Sequence, residues 1–132
     1  MSTTAHLKLK QVLVIEDYAA MREMIATSIR MRGFHVREAA DGLAGLRLLE
    51  AYEPDVVVVD LGLPVASGFD VVKELRAVAT TRMTPVIAIS GFEDQLKQAK
   101  ESPDFLTALA KPFDPEALIR AVERAAMGGP VV

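Results

Sequence analysis

Short β-branched runs alternate along this chain with longer stretches in which apolar residues recur at helical spacing. Residues 11–16 (QVLVIE), 34–38 (FHVRE), 55–60 (DVVVVD) and 85–90 (PVIAIS) predict strands, and 104–110 (DFLTALA) a weaker fifth. In the first intervening stretch Met21, Met24, Ile25 and Ser28 fall on one helical face, and Gly33 follows as a C′ residue. Leu43, Leu46 and Leu49 mark a second helix, which Pro54 ends. A third covers about residues 68–78, with Phe69, Val72 and Leu75 inward, and a fourth, the most polar, about 92–101 before Pro103. The fifth starts cleanly: Asp114 can cap, Pro115 suits the first helical position, and Leu118, Ala121, Val122 and Ala125 follow on one face.

The pattern is thus a strand and a helix, five times over. Runs such as VLVI and VVVV are apolar on both faces, so they belong between two layers of helices. Alternating βα units with such strands predict an α/β, doubly wound parallel sheet with right-handed crossovers. The length of 132 residues suits one domain, which we place at 11–127, with tails at 1–10 and 128–132 and no room for an effector domain. The absence of Cys excludes a disulfide framework and thiol chemistry. A net charge of −3 argues against direct nucleic-acid binding. The N-terminus shows no signal peptide and no apolar run approaches a membrane span, so a soluble cytoplasmic protein is expected.

Sites in open parallel sheets form beyond the C-terminal ends of the strands. Those ends carry Glu16-Asp17, Asp60, Ser90-Gly91 and Lys111-Pro112. Three carboxylates, a hydroxyl and an ammonium therefore converge on one edge. Clustered carboxylates call for a hard divalent cation, most naturally Mg²⁺. A carboxylate can accept a phosphoryl group, a lysine can pair with its oxygens, and a serine can hydrogen-bond to another. There is no Gly-rich phosphate loop of the GxxxxGK[ST] kind. The equipment suits moving one phosphoryl group onto Asp60.

VLVIEDY (12–18), VVVVDLGLPVASGFD (56–70), PVIAISG (85–91) and AKPFDPEAL (110–118), in this order and with these gaps, resemble the response-regulator receiver domains of two-component signalling. The resemblance implies a flavodoxin-like fold, with strand order 2-1-3-4-5 and five flanking helices. It implies Asp60 as phosphoacceptor and Lys111 as phosphate contact, with a cis bond to Pro112. Ser90 would be a switch hydroxyl that moves toward the phosphoryl oxygens. Mg²⁺ would be held by Asp17, Asp60, the Gly62 backbone carbonyl and Glu16, the last as a ligand, through water or through charge alone. Pro64 and Gly68 match the turn after the acceptor. The donor would be a phosphohistidine on a sensor histidine kinase or phosphotransfer protein. The output would be a protein contact through the fourth helix, fifth strand and fifth helix. It implies no enzyme beyond assistance to the chain's own phosphorylation and dephosphorylation, no membrane, and a monomer or weak homodimer.

Simpler roles compete at single residues. Asp17 could cap the first helix, His35 reads as a strand residue with one face wet, and Arg30, Arg32 and Arg37 around Gly33 read as solvated rather than as a docking patch. Met21, Met24 and Met31 read as core or helix surface. The chain also departs from the family pattern. The position three before Lys111, where similar domains carry an aromatic ring or His, is Ala108, and Phe105 is the nearest aromatic. That favours, as alternatives, a non-switching interaction module or a phosphoryl sink. Gly62, two after Asp60, cannot aim a water, and Phe92, two after Ser90, can shield the phosphoryl group, so slow self-dephosphorylation is expected. Gly62 also argues against a small phosphohydrolase, which needs a second acid at that position.

Overall fold

The computed structural model describes residues 10–128. The tails expected at the two ends lie almost wholly outside the described residues. The elements are β1 (Gln11–Ile15), α1 (Ala19–Arg30), β2 (His35–Ala39), α2 (Gly42–Ala51), β3 (Val56–Asp60), α3 (Gly68–Ala77), β4 (Val86–Ser90), α4 (Glu93–Lys100), β5 (Thr107–Ala110) and α5 (Pro115–Ala126). The five strands form one parallel sheet in the order β2-β1-β3-β4-β5. The order reverses at β1 and β3, which pair through Val12↔Val56 to Ile15↔Val59. The ends of these two strands carry the acidic residues.

Alternation along the strands divides the core in two. Leu13, Ile15, Val57, Val59, Val86 and Ala88 pack with Leu49 of α2, Val71, Val72 and Leu75 of α3, and Leu96 and Ala99 of α4. Val12, Val14, Val56, Val58, Ile87 and Ile89 pack with Ile25 and Ile29 of α1 and Leu118 and Val122 of α5. Every residue of β3 and β4 is buried, which is why these runs are apolar without alternation.

Sequence periodicity missed two details of the faces. In α1 the buried stripe is Ile25, Ala26 and Ile29, while Met24 lies toward solvent. In α2 the inward positions are Gly42, Gly45 and Leu49, and Leu43 is exposed. Glycine lets the helix approach the sheet closely, so a face read from large apolar side chains slips by one position. The second strand also begins one residue later than expected, and the weak fifth is confined to four residues. Phe105 precedes it, its ring edge-on to Phe69 at 5.6 Å and 80°, and so is part of the core beneath α3.

Helix ends are set locally. Ser67 and Asp70 form a reciprocal capping box on α3, Asp41 caps α2, and Asp114 caps α5 with Pro115 in its first turn. Gly33 takes φ +92°, which turns the chain from α1 into β2. The basic cluster expected around Gly33 is dispersed among partners. Arg30 pairs with Glu38, Arg32 with Glu116 and Glu123, and Arg37 lies 3.4 Å over the Tyr52 ring. Among the described residues no helix is long and apolar enough to cross a membrane.

Candidate functional site

Asp60 is the last residue of β3 and is 6% exposed. Its backbone leaves little room. A Cβ on Gly68 would lie 2.5 Å from the Asp60 carbonyl oxygen, so glycine is what lets α3 begin against the end of β3. The Asp60 carboxylate is held on both oxygens: Oδ1 accepts the Gly62 N–H at 2.9 Å, and Oδ2 accepts from Lys111 Nζ at 3.1 Å. Lys111 follows β5 and is tied to β4 by its own N–H, which donates to the Ser90 carbonyl at 2.8 Å. Its peptide bond to Pro112 is cis.

Glu16 follows β1 and is wholly buried. Its Oε1 lies 2.6 Å from Lys111 Nζ, and its Oε2 accepts the Tyr18 N–H at 3.1 Å. Asp17 is exposed. The first helix has Tyr18 at its N-cap with no side-chain cap bond, so Asp17 is not the cap. One carboxylate oxygen each from Glu16, Asp17 and Asp60 lies within 4.8 Å of the other two. Burial is the main force pushing the Glu16 carboxyl above its ordinary value. The Lys111 and Tyr18 bonds pull it down, and Asp60 and Asp17 push it further up. Burial works against the charged form of Lys111, but the bonds to Glu16 and Asp60 and their charges outweigh it and raise its pKa. Glu16 and Lys111 thus both hold their protons more tightly than isolated groups would.

Ser90 ends β4 and is wholly buried. Its hydroxyl donates to Gln95 Oε1 at 2.6 Å and accepts the Phe92 N–H at 3.0 Å. Gln95 and the exposed Phe92 stand above Gly62. A Cβ placed there would meet Asp60 Oδ1 at 3.6 Å, Phe92 Cε2 at 3.7 Å and Gln95 Oε1 at 3.8 Å. Ala108 is buried in β5 beside Ala88, with no ring.

The structure therefore brings Glu16, Asp17, Asp60 and Lys111 into one cluster, with Gly62 bound to Asp60. It directs the Ser90 hydroxyl to Gln95. Sequence reasoning missed Gln95, because a glutamine in the most polar helix carries no motif. Its place is visible only once α4 is known to start at Glu93.

Comparison with known proteins adds to this geometry. Residues 12–123 match the family described as the response regulator receiver domain. The transcriptional regulatory protein PdtaR of Mycobacterium tuberculosis is 33% identical over 119 residues, which are 88% of this chain and 56% of that protein. The phosphate regulon transcriptional regulatory protein PhoB of Escherichia coli is 31% identical over 118 residues, 86% of this chain and 50% of that one. The chain spans about half the length of these curated relatives. Among solved structures, the chemotaxis response regulator CheY4 of Vibrio cholerae superposes with a TM-score of 0.81 at 28% identity, covering 89% of this chain and 99% of that one. A CheY-like receiver domain from Methylobacillus flagellatus gives a TM-score of 0.79 at 34% identity, with 89% and 99% covered.

Proposed function

The chain belongs to the response regulator receiver domain family, and from that premise we propose that it accepts a phosphoryl group on Asp60 from a phosphohistidine of a sensor kinase or phosphotransfer protein. The observation that carries this reading is the meeting of three carboxylates and one lysine at the switch point of the sheet. An Asp60 carboxylate oxygen attacks phosphorus, a P–O bond forms, the P–N bond breaks, and the electron pair leaves with the imidazole nitrogen. The Gly62 N–H steadies Oδ1, and Lys111 is already on Oδ2, placed to follow the charge onto the phosphoryl oxygens.

The donor set fits a hard divalent cation. Three carboxylates face a single ammonium, and their oxygens are close enough to share one ion. Glu16, Asp17 and Asp60 would hold Mg²⁺, with the Gly62 carbonyl as a further oxygen. When bound, Mg²⁺ supplies charge neutralisation for the incoming phosphoryl group. The chain then assists its own phosphorylation and dephosphorylation and turns over no separate substrate. A cytoplasmic setting and a protein partner on the α4-β5-α5 face complete the reading. Phe92 and Gln95 border the space over Gly62 at ordinary contact distance, where they can shield the phosphoryl group, which supports slow hydrolysis of the phosphorylated form.

Acetyl phosphate with Mg²⁺ is expected to add one phosphoryl group by intact mass, with a lifetime of many minutes, and Asp60→Asn to abolish it. A signal that persists in Asp60→Asn places the acceptor elsewhere. The buried, ringless Ala108 favours a second reading, a module that binds its partner whether phosphorylated or not. Equal partner affinity with and without beryllofluoride would support it.

A further inference from the structure

The Ser90 hydroxyl has one proton to donate. Its nearest acceptor is Gln95 Oε1 at 2.6 Å, with the Phe92 carbonyl farther off at 3.4 Å, in a site from which its own side chain has no access to water. The Phe92 N–H donates to the Ser90 hydroxyl oxygen at 3.0 Å. While this arrangement stands, Ser90 has nothing left to give to a phosphoryl oxygen.

Gln95 belongs to the first turn of α4, and Leu96 and Ala99 are the residues α4 buries. Its carboxamide oxygen reaches the rim of the acidic site, since it and Asp60 Oδ1 flank the same point above Gly62. One side chain thus connects the hydroxyl beside the phosphoacceptor to a lightly anchored helix. The strand position where a ring would otherwise respond to the hydroxyl holds Ala108, which has nothing to rotate.

We propose that Gln95 is the positioning residue that couples this site to α4. In the resting protein it retains the Ser90 proton. When the hydroxyl turns to a phosphoryl oxygen, Gln95 loses its partner and the first turn of α4 is released. This rests on the reading of Asp60 as phosphoacceptor. The bond opposes the active form, because it must break before Ser90 can serve the phosphoryl group.

The test is calorimetric titration with beryllofluoride and Mg²⁺ on the full chain. Gln95→Met keeps the side chain's length and removes the acceptor. It is expected to bind the probe about fivefold more tightly than the parent, the equilibrium effect of one ordinary hydrogen bond. Gln95→Ala should shift affinity in the same direction. In a Ser90→Ala background, Gln95→Met should change nothing, a result that a general loosening of α4 would not give. Equal affinity in the parent and both Gln95 variants, or the same gain with and without Ser90, overturns the coupling alone. Failure of the parent to bind, or binding retained in Asp60→Asn, overturns the phosphoacceptor reading and the coupling with it.

Discussion

Val65 is the one non-glycine among the described residues with positive φ, at +65°, and it is 99% exposed. A β-branched residue in the left-handed region crowds its own backbone, at a cost of about 1–2 kcal/mol. Full exposure means that no packing repays this strain. Val65 lies in the loop that carries the chain from Asp60 to α3, so the strain sits beside the acceptor. Val65→Gly is expected to raise stability in urea by about 1 kcal/mol, after allowing for the extra freedom glycine gives the unfolded chain. A loss of stability would mean that the valine side chain itself holds the loop.

The corresponding feature among the elements is Arg76, in the last turn of α3. Its guanidinium donates to the carbonyls of Arg82 at 2.9 Å, Thr84 at 2.7 Å and Asp104 at 2.6 Å. One side chain thereby fastens α3 to the loop before β4 and to the segment before β5. Only a planar fork can span these carbonyls, and a lysine offers a single point charge. Arg76→Lys is expected to cost about 2 kcal/mol in chemical denaturation, because it strands the half-buried carbonyls of Thr84 and Asp104. Phosphorylation by acetyl phosphate should survive, since Arg76 is remote in sequence and topology from the strand ends that carry the site. Loss of phosphorylation in a folded Arg76→Lys protein would show that this clamp also sets the site.

The acidic cluster links the stability of the whole molecule to pH and to metal. Glu16 holds its proton more tightly in the folded chain than at its ordinary value of 4.5. Folding is therefore opposed progressively as pH rises from about that value through the raised one, and the opposition is complete above it. Lys111, also raised, contributes stability fully below its ordinary 10.5 and loses it only as pH climbs through its folded value. A divalent cation needs the carboxylates ionised, so it competes with protons at Glu16. At neutral pH, Mg²⁺ at ten times its dissociation constant is expected to stabilise the fold by about 1.4 kcal/mol. That should appear as a rise of about 4 °C in the thermal midpoint. EDTA should reverse the rise, Asp17→Asn should abolish it, and it should shrink on acidification at a higher pH than an ordinary carboxylate would dictate. A rise unchanged in Asp17→Asn would remove that residue from the metal site.

The pattern of residues is enough to specify the fold class, the strand order once its motifs are matched, and the strand-end places of Asp60, Asp17, Glu16 and Lys111. The reason is that runs such as VVVV bury both faces, and a parallel sheet must then place the residues after each strand on one edge. Helix starts with a capping side chain, such as Asp114-Pro115, were legible for the same local reason. Features that depend on close approach between elements emerge only in the folded chain. Gly45 packs on Ile15 of the sheet and Gly42 on Ala66 and Val71, while Leu43 is exposed, because a missing side chain can mark a buried face as well as a large one. The pairing of Glu16 with Lys111 required the ends of β1 and β5 to be brought to one edge across a separation of 95 residues in the chain. The Ser90–Gln95 bond required the start of α4 to curl back over the end of β4. Periodicity records which residues avoid water. It does not record which polar groups, once dry, find each other.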